Sequence, residues 1–213
     1  MITLYLLKQS RAHRIVWALE ELGLDYEVKI FDRDPQTKLA PAELKNIHPL
    51  GKSPILTDGD LTLAESGAIV QYLVQKYGNG CLQAQEGSND YYRCWEWVQY
   101  AEGSIMAALL LSVFVNQIAP SESRDAVKAH YVDAQMPLHL AYVENALRGK
   151  TWLVGEKITA ADIMMSFPLQ LAMSSPQAQQ AYPNIAAYVT RIEESEGYRK
   201  AEARVGKLEL LKL

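Results

Sequence analysis

The chain has 213 residues, 49% apolar and 22% charged, with a formal net charge of −4; this suits one large or two modest globular domains and argues against a protein that grips a phosphate backbone, so no nucleic-acid partner is expected. No uninterrupted apolar run approaches ~20 residues, and Met1-Ile2-Thr3-Leu4-Tyr5 lacks a basic stretch before an apolar core, so neither a membrane span nor a signal peptide is expected. The two cysteines, Cys81 and Cys94, and the four histidines show no metal-ligand spacing; no metal is expected, and the chain reads as cytoplasmic.

Residues 2–7 are apolar and β-branched, which predicts a buried strand. From Arg11 the period changes. Ile15, Val16, Leu19 and Leu22 mark one face of a helix, Gly23 closes it, and Ser10 stands at its N-cap position. Residues 26–31 read as a second strand, 32–41 as a polar loop, and 43–47 as one helical turn. Ser53-Pro54-Ile55-Leu56-Thr57 reads as a third strand. Asp58-Gly59 is a hairpin turn signal because Gly takes φ > 0 without steric cost, and Leu61-Thr62-Leu63-Ala64 is the returning strand. Pro54 cannot donate to a sheet ladder, and X–Pro is where a cis bond costs little.

Beyond the hairpin, Ile69, Val70, Leu73 and Val74 repeat at helical spacing to about Tyr77. Glu65-Ser66 therefore sits at a helix start, where unpaired backbone N–H groups point outward. Such a place suits a zwitterionic ligand: amides and hydroxyl take a carboxylate, and Glu65 takes an ammonium. Gly78-Asn79-Gly80 and the polar residues 83–89 then mark a linker.

After the linker no strand is expected. Residues 91–111 form a long helix with Trp95, Val98, Glu102, Ile105, Met106 and Leu109 on one face. A second long helix covers 124–147, and Pro137 should kink or split it. Thr159 and Asp162 read as a capping box, with Ile158 and Ile163 at the staple positions, ahead of a buried helix through 164–172. Helices over 185–194 and 198–203 close the chain.

Four motifs in this order resemble the cytosolic glutathione transferase family over essentially the whole chain. They are Ser10-Arg11-Ala12-His13-Arg14 with Trp17 to Leu24, His48-Pro49-Leu50-Gly51-Lys52-Ser53-Pro54-Ile55-Leu56, Glu65-Ser66-Gly67-Ala68-Ile69, and Ile158-Thr159-Ala160-Ala161-Asp162. Ser10-Arg11 and Tyr100-Ala101-Glu102-Gly103-Ser104 are most similar to a serine-type subgroup found in fungi and bacteria. The resemblance implies a thioredoxin-like α/β N-terminal domain over residues 1–80, an all-α C-terminal domain over 88–213, a cis Pro54 and a homodimer. Its implied function is attack of glutathione, as thiolate, on a small hydrophobic electrophile, with peroxidase activity as a side reaction.

A free thiol with pKa near ~8.5 is only a few per cent thiolate at pH 7. Lowering that by about two units needs roughly 2.7 kcal/mol of preference for the anion. A helix N-terminus supplies about 0.3–1 kcal/mol, and a hydrogen bond to a charged group about 1.5–3. Ser10 at the first helix start could combine the two, and it matches the serine of the serine-type classes. A Ser before a helix is also an ordinary N-cap, and Tyr5 on the first strand is the competing activator.

By the same resemblance Glu65 and Ser66 hold the γ-glutamyl end of glutathione, Ser53 and Pro54 present backbone to the cysteinyl part, and Lys52 with Lys38 meets the glycine carboxylate. The electrophile would lie between the domains, with Tyr100, Met106, Leu110, Phe114 and Phe167 as candidate walls, although aromatic and Met side chains on helices are more often core. Two other readings stay open: a non-catalytic protein that binds glutathione or hydrophobic ligands, and a glutathione-dependent isomerase.

Overall fold

The computed structural model describes residues 1–117 and 120–210. The first part of the chain runs β1 (Ile2–Leu7), α1 (Ala12–Glu21), β2 (Tyr26–Phe31), a 3₁₀ turn (Ala42–Asn46), β3 (Ile55–Asp58), β4 (Leu61–Ala64) and α2 (Ser66–Tyr77). The strands form one mixed sheet in the order β2-β1-β3-β4. The β1 and β2 strands are parallel, with α1 as their crossover, and β3 is antiparallel to both β1 and β4. The β3–β4 loop is Gly59-Asp60, with Gly59 at φ 60°. Alternation along β1 sends Leu4 and Leu6 into the core, where Ile15, Val16 and Leu19 of α1 and Ile69, Val70 and Leu73 of α2 are fully buried.

The linker is fastened rather than slack. A Cβ at Gly78 would stand 2.3 Å from the Val74 carbonyl, so only glycine fits that close turn. Four residues on, the Leu82 carbonyl accepts from Ala160 N at 2.7 Å.

The second part runs α3 (Asn89–Tyr100), a π turn (Ala101–Ile105), α4 (Met106–Gln117), α5 (Ser121–Val127), a second π turn (Lys128–Val132), α6 (Asp133–Ala146), α7 (Ala160–Ala172), α8 (Pro176–Ala181), α9 (Pro183–Glu194) and α10 (Glu196–Val205). The helix expected over 91–111 starts earlier, with Ser88 accepting from Tyr91 N at 3.1 Å, and continues through the first π turn. The resulting 28-residue run, Asn89–Asn116, is long and apolar enough to cross a membrane by length and composition, which counting uninterrupted apolar residues had not suggested. In this fold its stripe of Cys94, Val98, Ala101, Ile105, Met106 and Leu109 is core.

The helix expected over 124–147 is not split at Pro137. The chain widens into the π turn one turn earlier, and α6 carries Pro137 inside it. Proline cannot donate to the carbonyl four residues back and its ring crowds that carbonyl, so the relaxed turn lies where the ladder is already interrupted. The short α8 was not anticipated, although Pro176 and Pro183 at the first positions of α8 and α9 carry the signal.

The capping box at the start of α7 is present. The fully buried Asp162 carboxylate accepts from Thr159 N (2.8 Å), Thr159 Oγ1 (2.9 Å), Leu153 N (3.0 Å) and Tyr188 Oη (2.6 Å). Burial pushes its pKa up while these four donors pull it down. Replacing Thr159 by Ala removes one donor and the cap hydroxyl. It should cost about 1 kcal/mol and lower the melting temperature by ~2–4 °C for a chain of this size. A thermal melt unchanged from the parent would mean the box is dispensable.

Candidate active site

The end of β1, the start of α1 and the segment before β3 meet at two hydroxyls. Ser53 Oγ accepts from Leu7 N at 2.9 Å and donates to Tyr5 O at 3.1 Å. Its side chain thus extends the β1–β3 ladder by one rung, while Ser53 N and O make no hydrogen bond among the described residues. The Ser53–Pro54 peptide is cis, as expected. Ser10 Oγ accepts from Ala12 N at 3.2 Å and stands 3.5 Å from Ser53 Oγ. Since the one proton on Ser53 Oγ goes to Tyr5, that long contact has Ser10 as its donor. The Ser10 proton is therefore only weakly engaged, at the positive end of α1.

Ser10 caps α1 as expected: its Oγ accepts from Ala12 N and its carbonyl from His13 N at 3.2 Å, while Arg11 is already α-helical and makes no capping bond. Tyr5 points elsewhere. Its ring packs 6.4 Å from Phe31 with Lys29 Nζ over it at 5.5 Å, on the strand face opposite Leu4 and Leu6.

Glu65 and Ser66 open α2, but differently from each other. Glu65 is exposed and adopts φ 66°, ψ 113°, a conformation L residues rarely take. Strain of this kind concentrates at ligand clamps. The Glu65 carboxylate makes no hydrogen bond among the described residues. Ser66 is buried, and its Oγ accepts from Arg14. Its hydroxyl is thus a held group with one proton left to give, rather than an open one.

Arg14 was not singled out from the sequence, and it joins three partners here. It is 1% exposed. Nη2 donates to Ser66 Oγ and to Glu102, and Nη1 to Met164 O at 2.7 Å. Met164 O needs that donor because the residue four places on is Pro168, which has no N–H. Glu102 lies in the first π turn and also accepts from Arg11 Nε at 2.9 Å with both oxygens. Burial pulls the Arg14 pKa down and Glu102 opposes it. The ring of Phe167 lies under both guanidinium groups, 5.6 Å from Arg11 and 6.0 Å from Arg14. A sequence signal did exist: Glu102 falls on an otherwise apolar helix face, and an acid there calls for a cation.

The candidate electrophile walls scatter. Met106 on α4 is 1% and Phe167 on α7 7% exposed, both packed in the core. Tyr100 donates to or accepts from His139 Nδ1 at 2.7 Å and packs with Trp97 and Tyr142, a cluster between α3 and α6. Phe114 and Leu110, one turn apart on α4, are about half exposed at 49% and 47%. Lys52 is exposed. Lys38, at φ 60°, closes a loop built on Asp34, with its N–H donating to Asp34 O at 2.9 Å and its carbonyl accepting from Arg33.

Residues 1–75 match the family description "Glutathione S-transferase, N-terminal domain", and residues 104–196 match "Glutathione S-transferase, C-terminal domain". Glutathione S-transferase 3 of Schizosaccharomyces pombe is 35% identical over 216 residues, covering 96% of this chain and 88% of the relative. A crystal structure of a glutathione S-transferase from Actinobacillus pleuropneumoniae is 42% identical with a TM-score of 0.85, covering 98% of this chain and 95% of that one. A glutathione transferase from Phanerochaete chrysosporium, solved in complex with oxidized glutathione, is 25% identical with a TM-score of 0.80, covering 98% and 97%. With an α/β sheet domain fastened to a helical one through Arg14, and both halves matched in sequence, this chain belongs to the glutathione S-transferase family.

Proposed function

We propose that the protein binds glutathione and transfers its sulfur, as the thiolate, to the electrophilic carbon of a small apolar substrate. The observation that carries this reading is the Ser10 hydroxyl. One of its lone pairs accepts from Ala12 N and its proton is held only by a 3.5 Å contact, so it can donate to an anion at the start of α1. The thiol proton leaves to solvent, and the sulfur lone pair forms the new bond to carbon as the leaving group departs. Glu65 takes the γ-glutamyl ammonium, Ser66 and the α2 amides its carboxylate, the Ser53 backbone the cysteinyl part, and Lys52 with Lys38 the glycine carboxylate. Phe114 and Leu110 offer apolar contact to the electrophile.

Turnover with an aryl halide, a hydroperoxide and a maleyl substrate tests the reading. Conversion of the aryl halide supports it. Glutathione binding without any turnover would leave a binding protein, and maleyl turnover alone an isomerase. Glu65→Ala should weaken glutathione binding about 10-fold, the effect of roughly 1.4 kcal/mol. Full retention of that variant on immobilised glutathione would contradict the placement of the γ-glutamyl end.

The proposal includes a cytoplasmic homodimer. Support for the dimer comes from α6, where Leu138 and Tyr142, one turn apart, are 62% and 46% exposed beside the Tyr100–His139 pair. Sedimentation at the mass of one chain would refute it.

A further inference from the structure

A cavity lies at the joint between the two parts of the chain, and none of Ser10, Ser53, Glu65 and Ser66 lines it. It encloses about 690 Å³, within the ~300–1,000 Å³ of small-molecule sites. Three segments wall it: Glu21 at the end of α1, the linker at Cys81 and Leu82, and Trp152, Val154 and Ile158 ahead of α7. The bond from Ala160 N to Leu82 O, at 2.7 Å, holds the linker wall against the start of α7. Leu82, Trp152 and Val154 are otherwise buried, so this part of the lining is rigid and apolar. Glu156 and Lys157 are exposed at the rim and offset each other in charge.

Glu21 is the lining residue whose charge is unanswered. Its Oε1 accepts from Trp17 Nε1 at 2.8 Å, and α10 closes over that oxygen, since a Cβ at Gly197 would stand 2.3 Å from it. Glu21 Oε2 makes no hydrogen bond, and the carboxylate no ion pair, among the described residues. The nearby cations are engaged elsewhere: Arg204 with Glu20 at 3.3 Å and Lys200 with Glu196 at 2.7 Å. The last turn of α1 carries no basic residue, although the C-terminal end of a helix is the end that favours positive charge. Burial pushes the Glu21 pKa up, and the Glu196 carboxylate adds to that rise while the Trp17 N–H opposes it.

We propose that this cavity is a second ligand site and that it takes a small organic cation, an ammonium group on an aromatic body. The ammonium pairs with Glu21 at the negative end of α1, and the aromatic body lies along Leu82, Val154 and Ile158. The Trp152 indole adds cation–π attraction. An organic anion would meet both Glu21 and the α1 carbonyls, and a neutral ligand would leave Glu21 unanswered. The site shares no residue with the glutathione site proposed above and stands without that reading.

The test compares 2-phenylethylamine with the neutral 2-phenylethanol and the anion 3-phenylpropanoate, by calorimetry on the full chain at pH 7. The amine should bind at least 10-fold more tightly than either. Glu21→Gln keeps an acceptor for Trp17 and should bring amine and alcohol within 2-fold of each other. Ala84→Phe, which fills the cavity with Glu21 intact, should weaken both alike. Cys81 locates the ligand, because it is exposed on the cavity wall while Cys94 is buried. Saturating amine should slow alkylation of Cys81 by iodoacetamide at least 5-fold, and glutathione should leave the amine affinity within 2-fold. Equal binding of the three probes, or none, would overturn the inference. So would a preference for the amine that survives Glu21→Gln, or a Cys81 alkylated at its free rate with the amine bound.

Discussion

Replacing Ser10 by Ala should raise the pKa of enzyme-bound glutathione by about 1–2 units and lower kcat/KM at pH 7 by about 10–100-fold. The size follows from losing one hydrogen bond to a charged group, about 1.5–3 kcal/mol, at 1.36 kcal/mol per unit. The sign fixes the pH dependence. A higher thiol pKa means less thiolate at pH 7, and the deficit shrinks as pH rises through the variant's own pKa, so the two rates converge in alkali. Binding should stay within a few-fold, because Glu65, Ser66 and the Ser53 backbone remain.

The plain capping role of Ser10 makes a different forecast. Its Oγ does accept from Ala12 N, so the variant also loses about 1 kcal/mol of stability. Capping alone leaves the thiol titration where it was. Thiolate absorbance against pH, read beside a thermal melt, therefore separates the two roles, and an unmoved titration ends the catalytic one. Tyr5→Phe is the control: with its ring against Phe31 and Lys29, that change should leave the titration alone.

Local patterns carried most of the fold. An apolar, β-branched run marked β1, period 3.6 marked α1 and α2, and the Gly59 turn and the Thr159–Asp162 box each rest on residues close in the chain. The family motifs pointed to Ser10, Ser53, Glu65 and Ser66, and the structure draws Ser10 and Ser53 together and links Ser66 to the same helix through Arg14. What stayed hidden depends on distant partners. The need of Met164 O for a donor is written in Pro168, but that the donor is Arg14, 150 positions away, is not. The π turns were equally unreadable, because an apolar stripe shifted by one residue still resembles a straight helix. Met106 and Phe167, offered as walls for the electrophile, are packed in the core, since apolar character marks burial without saying whether the neighbour is a ligand or another helix.

Removing Glu102 should produce the largest loss of stability among these changes. Arg14 keeps its charge at any ordinary pH, and Glu102 is the carboxylate paired with it. Breaking a buried pair from one side leaves an uncompensated charge, at about 3–5 kcal/mol. The low end, about 3, applies because Glu102 is 32% exposed and water replaces part of what is lost. At ~2–4 °C per kcal/mol, Glu102→Ala should melt roughly 6–12 °C below the parent.

Glutathione affinity should fall with it, since Arg14 no longer holds Ser66 in place. The double variant Arg14→Met with Glu102→Leu tests whether these effects are separable. Replacing both charges by apolar side chains should recover part of the stability, but not all, because Met164 O is left without a donor opposite Pro168. Affinity should stay low, because nothing then orients the Ser66 hydroxyl. A Glu102→Ala protein melting with the parent would mean that water, not this carboxylate, balances Arg14. Recovery of affinity in the double variant would mean that α2 positions Ser66 without help from α1.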